Sequence, residues 1–311
     1  MLKIAVSSRA LFNLDEANAV WETQGPEAYE QFQRARADEV LEPGPAYNLV
    51  KKLLALNNPE LWPERDKVEV IMLSRNTPAT GRRIMRSITA HGLAIGSGMF
   101  VEGCDRFPFA AAFDAHLFLT ASEADVKQSI KNGLPAALIK TGKSYPIDST
   151  EIRIAFDGDG VLWNDSAERV SAHDGLRAFR AHEIENAAIP MGDGPMTRLM
   201  RALHELQASY PTAECPVRIY LVTARGVEAS ERAMVTLDAM GLRLDGSLFL
   251  DGKPKGVFLK ALKVDLFFDD TPRQVDSAAE HVPTGHVLDG IRNELDSRVT
   301  SVPPLQRSAH G

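Results

Sequence analysis

The stretch RIAFDGDGVL, residues 153–162, decides the reading of this chain when it is set against KIAVSSRALF, residues 3–12. Each opens with a short β-rich apolar run and breaks into small and polar residues where a strand would hand over to a helix. A shift of 150 residues aligns them, and the same shift lays GPMTRLMRALHEL from Gly194 on GPAYNLVKKLLAL from Gly44 and Gly175 on Gly25. With one residue of slippage the series continues at 149, placing Arg232 and Met234 on Arg83 and Met85, Gly241-Leu242 on Gly92-Leu93, and Leu266-Phe267 on Leu117-Phe118. A collinear series at nearly constant offset predicts a tandem duplication of a unit of about 150 residues, an ordinary domain size.

Apolar runs recur at KIAVS, VEVIML and AHLFLT in the first half and at IRIAF, VRIYLVT and VDLFF in the second, and they read as buried parallel strands. Between them lie helical patterns such as Leu199, Leu203 and Leu206, matched by Leu49, Leu53 and Leu56. Strands alternating with helices predict an α/β fold made of two Rossmann-like units. The turn-rich segment GKSYPIDST, residues 142–150, marks the boundary, which divides the chain into 1–147, 148–290 and a tail at 291–311.

Composition narrows the function classes. With 311 residues, 44% hydrophobic and 25% charged, the chain can bury a core in each half. The net charge of -7, without a Lys/Arg cluster, argues against nucleic-acid polymers as partners. No signal-like apolar run opens the sequence and no stretch of about 18 apolar residues occurs, so a cytoplasmic protein is expected. Cys104 and Cys215 lack metal-ligand spacing and are expected to be small buried hydrophobes. Whether the chain forms a homo-oligomer is left open.

In a parallel α/β sheet, functional groups gather at the carboxyl ends of the strands. After IRIAF come Asp157 and Asp159, after VRIYLV comes Thr223, after VDLFF come Asp269 and Asp270, and Lys255 lies in DGKPKG. Singly, each has a bland reading as a turn, a cap or a solvated charge. Together they form a coherent phosphoryl-transfer set. Clustered carboxylates call for a cation, and an all-oxygen site suits Mg²⁺. Asp157 is placed to attack phosphorus, and Asp159 to protonate the leaving oxygen and later activate water. The Thr223 hydroxyl and nearby backbone N–H groups, that of Ala224 among them, would hold phosphate oxygens, while Lys255 offsets negative charge. Gly158 and Gly160 permit the tight turn this requires. The stretch from Trp163 to Gly194 is the candidate lid, with His173, Phe179, His182 and Glu183; Phe179 is expected to be core packing, by analogy with its repeat partner Tyr29.

The ordered set DGDGV, LVTAR, Lys255 and FFDD resembles the haloacid dehalogenase superfamily of phosphatases. With IAVSSRALF, FDGDGVLW, PKG and HVPTG, the chain is more closely similar to the cytosolic 5'-nucleotidase type I family, over both halves to about residue 290. The resemblance implies Mg²⁺-dependent hydrolysis of nucleoside 5'-monophosphates through Asp157, with Asp159 as acid/base. It implies metal ligation by Asp157, by the backbone carbonyl of Asp159, and by the Asp269-Asp270 pair. It also implies, for some members, activation by an ADP-like nucleotide. Two alternatives remain at this point: a phosphatase of another small ester such as a sugar phosphate, and a nucleotide sensor without turnover.

Carried back along the repeat, Asp157 meets Ser7, Asp159 meets Arg9, Thr223 meets Ser74, Lys255 meets Arg106, and Asp269 and Asp270 meet Thr120 and Ala121. Every metal-binding carboxylate is gone, while a hydroxyl and a cation persist, with Arg75 close by. The first half is therefore expected to bind no Mg²⁺. It is either a structural partner of the second half or a metal-free anion pocket formed by Ser7, Arg9, Ser74 and Arg106, serving as a regulatory nucleotide site.

Overall fold

The computed structural model describes residues 1–58, 60, 67–140 and 150–300, with side chains to 295. The expected boundary at 142–150 thus lies outside the described residues, apart from Thr150, as does the tail segment SVPPLQRSAHG.

In the first half the chain runs β1 (Leu2–Ser7), α1 (Ser8–Leu11), α2 (Asp15–Ala35), α3 (Tyr47–Ala55), β2 (Val68–Ser74), α4 (Pro78–Ala90), β3 (Ser97–Phe100), α5 (Phe107–Ala112), β4 (Leu117–Thr120), α6 (Glu123–Lys131) and β5 (Ala136–Ile139). The second half runs β6 (Ile152–Phe156), α7 (Ser166–Glu185), α8 (Thr197–Ala208), β7 (Val217–Thr223), α9 (Glu231–Met240), β8 (Gly246–Phe249), α10 (Gly256–Ala261), β9 (Leu266–Asp269), α11 (Pro272–Ala279), β10 (Thr284–His286) and α12 (Gly290–Thr300). All ten strands join one sheet in the order β3-β2-β1-β4-β5-β10-β9-β6-β7-β8. Read outward from the centre, both halves carry the same strand order and, apart from the short α1, corresponding connecting α-helices. Within each half the pairing is parallel; the seam between β5 and β10 is antiparallel, with Gly285 opposite Ile139 and His286 opposite Leu138.

The first strands of the two halves, β1 and β6, are flanked on both sides by strands and covered on both faces, which is why LKIAVS and IRIAF are almost continuously apolar. The halves share their largest core and keep a smaller one each, around Phe118 in the first and Phe267 in the second. One apolar cluster runs from Leu2, Ile4 and Val6 through Leu49, Leu53, Leu199 and Leu203 to Phe156 and Phe268. Between the halves, Lys52 of α3 donates to Asp265, just before β9, at 2.8 Å, and Asp265 is fully buried. Lys140 pairs with Asp276, and Arg198 with Asp114.

Helices α2 and α7 each break once, at Gly25 (φ 85°) and Gly175 (φ 84°), a backbone region that glycine enters without steric cost. Two expectations need correction. The expected boundary of the second unit at 290 falls too early: Ile291 is buried, and Arg292 and Glu294 pair with Glu168 and Arg169 of α7. Of the two cysteines only Cys215 is buried; Cys104 is exposed, because it lies in the polar loop after β3 rather than in an apolar run. Among the described residues no helix is long and apolar enough to cross a membrane.

Candidate active site

The carboxyl ends of β6, β7 and β9 open into a cleft of about 730 Å³, lined by Asp157, Asp159, Thr223, Ala224 and Lys255 and roofed by α7. The turn after β6 is tight for a specific reason. A Cβ at Gly158 would run into the indole of Trp163, which is fully buried, and one at Gly160 (φ 71°) would stand 2.5 Å from Asp270 Oδ2. Glycine at 158 thus leaves room for the indole, and glycine at 160 lets the turn approach Asp270 in the loop after β9.

At the floor, Lys255 is completely buried, its ammonium 3.0 Å from Asp157 Oδ1 and 2.6 Å from Asp269 Oδ2. Burial alone would strip the lysine of its proton, but the two carboxylates outweigh it and hold the ammonium charged. Burial also pushes the Asp157 carboxyl up, to about 7, against the pull of Lys255 and with the further push of Asp269 and Asp159. Asp270 is raised well above the usual carboxylate range by burial, then by the charges of Glu168 and Asp269.

Ligand oxygens of Asp157, Asp269 and Asp270 lie within 4.8 Å of one another. Their other partners separate their roles. Asp269 is engaged on both sides, by Lys255 on Oδ2 and by the Thr271 N–H on Oδ1 at 2.8 Å. Asp270 Oδ2 is buried and has no hydrogen-bond partner. An all-oxygen cluster short of positive charge, with one carboxylate oxygen left over, fits a hard divalent cation.

The carboxylate of Asp159 stands outside that cluster. Arg225 grips it with two hydrogen bonds, Nε to Oδ2 and NH2 to Oδ1, both 2.7 Å. Arg225 also bonds Glu183, which is buried and held in turn by Arg232 at 2.8 Å. Sequence reasoning passed over Arg225, although it stands inside LVTAR, because its partners Asp159 and Glu183 lie 66 and 42 residues away. The repeat counterpart of Arg225, Asn76, belongs to a version of the same network in which Gln33 replaces the buried carboxylate: Tyr29 donates to Asn76, Gln33 to Tyr29, and Arg83 reaches Gln33. Phe179 is buried as expected, packing on Ala167 and Ala229 and facing the Arg225 guanidinium, while His173 is exposed and His182 pairs with Glu183.

A second unforeseen pair closes one wall. Glu168 of α7 and Arg292 of α12 line the cleft and pair at 2.7 Å, and Glu168 Oε2 has no hydrogen-bond partner. Helix α12 is tied to the loop bearing Asp270 by Asn293, which donates to the Asp270 carbonyl at 2.9 Å. It is tied to the start of α7 by the Ile291 N–H on Asp165, at 2.7 Å. Glu168 and Arg292 were invisible in the sequence because they lie 124 residues apart.

The sequence profile described as "5'-nucleotidase" matches residues 1–294, the entire span that builds both halves of the sheet and this cleft. The chain belongs to the 5'-nucleotidase family. Among curated proteins it is 32% identical over 286 residues, 89% of its length, to the cytosolic 5'-nucleotidase 1B of Homo sapiens. The chain spans about half the length of that relative, which it covers to 47%. No solved structure matches it. The family profile reaches through Arg292 and Glu294, so this 5'-nucleotidase-family chain includes the start of α12 within its matched region.

The corresponding cleft of the first half also measures about 730 Å³. Ser7, Arg9 and Arg106 line it, joined by Arg75. Ser74 does not: its hydroxyl is buried behind the wall and accepts the Asn76 N–H. Arg106 occupies the place of Lys255 but faces Asp125 and Thr120 instead of a nucleophile.

Proposed function

We propose that this chain hydrolyses nucleoside 5'-monophosphates with Mg²⁺, through an aspartyl-phosphate on Asp157, within a haloacid dehalogenase-like scheme. The observation that carries the reading is the buried Lys255 ammonium between Asp157 and Asp269, beside the unpartnered Asp270 Oδ2. A fixed cation beside the nucleophile offsets the repulsion between a carboxylate and a phosphate dianion.

The residues divide the work as follows. Asp157 and Asp270 would hold the metal, together with the Asp159 carbonyl; Asp269, engaged by Lys255 and the Thr271 N–H, orients the lysine. Mg²⁺, when bound, would neutralise charge on the phosphoryl oxygens. Thr223, at the end of β7 and almost fully buried, and the Ala224 backbone would cradle those oxygens. An Asp157 oxygen attacks phosphorus as the bond to the ribose O5' breaks, and Asp159 delivers a proton to that leaving oxygen. Asp159 then takes a proton from the water that attacks the phosphoryl group, returning Asp157 as a carboxylate and releasing phosphate. For both transfers Asp159 must turn from Arg225, whose two-pronged grip makes it a positioning residue for the acid/base. The common strand order of the two half-sheets supports descent from one duplicated unit, of which only the second kept its carboxylates.

The test is phosphate release from a panel of nucleoside monophosphates and sugar phosphates, with Mg²⁺ and with EDTA. Turnover of nucleotides that needs Mg²⁺ and vanishes in Asp157→Asn is expected. Preference for sugar phosphates would move the substrate elsewhere, and no release from any ester would leave a nucleotide sensor.

A further inference from the structure

The two clefts differ in a way that their shared scaffold brings out. Around the second, the buried atoms left without hydrogen-bond partners include two carboxylate oxygens, Glu168 Oε2 and Asp270 Oδ2, and a site of that kind asks for a cation. Around the first, they are Arg9 Nε, Arg106 Nε and Asn76 Nδ2, all of them donors on residues that line the cleft. Buried donors without partners carry a desolvation cost that an incoming acceptor removes.

The charge balance agrees. Arg75 and Arg106 share a single counter-ion, the buried Asp125, whose Oδ1 takes Arg75 at 2.9 Å and whose Oδ2 takes Arg106. Two guanidiniums on one carboxylate leave a positive charge over. Arg9 adds another, its contact with Asp15 being long at 3.7 Å and partly exposed. The carboxylates that line the same cleft do not cancel this. Glu27 and Glu102 are exposed to water, where charge is screened, and Glu30 is already paired with Arg34.

An apolar platform stands beside these donors. Trp21 lines the cleft with nearly half its surface exposed, and Tyr29 braces it edge to face, ring centres 5.5 Å apart. The Tyr29 hydroxyl is fixed on Asn76 at 2.8 Å, so the aromatic pair and one of the unpartnered donors form one rigid unit. In the second cleft the place of Trp21 is taken by Ser171, along the repeat offset of 150. Forked donors at the floor and an exposed indole at the side match an anionic group joined to a flat ring.

From this geometry we infer that the first-half cleft is a second ligand site that binds a nucleoside phosphate without metal, its phosphate on Arg9, Arg75 and Ser7 and its base against Trp21. The inference shares with the proposed function only the ligand class. It requires no catalysis by either half.

Isothermal calorimetry of the wild-type chain in EDTA tests it, with AMP, ADP, adenosine and inorganic phosphate as separate probes. EDTA removes any divalent cation, and because the second cleft is lined by basic as well as acidic side chains, variants in each cleft assign the heat to one or the other. The expected result is one site per chain for AMP or ADP, with adenosine and inorganic phosphate each at least ten-fold weaker. Arg9→Gln, Arg75→Gln and Trp21→Ala are each expected to weaken that site ten-fold or more, while Thr223→Val in the second cleft leaves it unchanged. Arg9, Arg75 and Trp21 are partly exposed, so these variants are expected to fold. The inference is overturned by absence of binding in EDTA, by binding that the three variants do not weaken, by loss in Thr223→Val, or by inorganic phosphate matching AMP. Phosphate release with Mg²⁺ is scored separately, so failure of the catalytic reading and failure of this one are told apart.

Discussion

Replacing Lys255 with methionine is the most informative single perturbation of the active site. The substitution keeps the bulk of the stem and removes a fully buried ammonium that sits 3.0 Å from Asp157 and 2.6 Å from Asp269. Removing one partner of a buried ionic set leaves the other charges uncompensated, at a cost of about 3–5 kcal/mol. At about 2 °C per kcal/mol for a chain of this size, the midpoint of thermal unfolding should fall by roughly 6–10 °C. The measurement is differential scanning fluorimetry in EDTA, so that no divalent cation stands in for the lysine. A companion, Lys255→Met with Asp269→Asn, removes one of the stranded charges while keeping Asp269 Oδ1 as acceptor for the Thr271 N–H. It should recover most of the lost stability. A shift below about 2 °C in the single variant, or no recovery in the double, would refute the argument that this lysine holds the carboxylates together.

Three further outcomes follow from the same geometry. Arg225→Lys gives up the paired grip on Asp159, so kcat for a nucleoside monophosphate should fall about 10²-fold with little change in KM; unaltered steady-state kinetics would remove Arg225 from the positioning role. Arg292→Ala should cost about 1–2 kcal/mol and speed limited proteolysis of the C-terminal helix, because Glu168 loses its cation in a partly exposed pair; an unchanged cleavage rate would show that α12 is held elsewhere. His116, whose Nδ1 accepts the Lys3 N–H, is kept neutral by burial and then by Arg198, which lowers its pKa. Its contribution to stability is therefore complete above about 6.5 and is lost as pH falls below that value. Chemical denaturation across that range should show a weaker acid dependence in His116→Asn.

The parts of the fold that were legible were those where burial and sequence pattern coincide. LKIAVS, VEVIMLS, IRIAF and VRIYLVT announce themselves because strands covered on both faces are apolar throughout. The strands Ser97–Phe100 and Gly246–Phe249 escaped because they are short, half-exposed edges, and Thr284–His286 because Thr-Gly-His carries no strand pattern. In the candidate site, Asp157, Thr223, Lys255, Asp269 and Asp270 could be read from their order after strand ends. Arg225, Glu168 and Arg292 could not, since their meaning lies in contacts across 42 to 124 residues. Ser74 and Arg106 show the limit of transferring roles along a repeat: one fell behind the wall, and the other is occupied by Asp125, a residue with no carboxylate counterpart at Gln274.

The antiparallel seam between β5 and β10 has a practical consequence for anyone manipulating this molecule. Because the two half-sheets run in opposite senses, their carboxyl ends, and with them the two clefts, open at opposite rims of a single slab. No small molecule can touch both, and no one lid can shut both. A binding reagent raised against one rim, such as a nanobody, should cap that cleft and leave the other accessible. Each half can thereby be silenced in turn in the intact chain, without cutting a sheet whose exposed seam would invite aggregation.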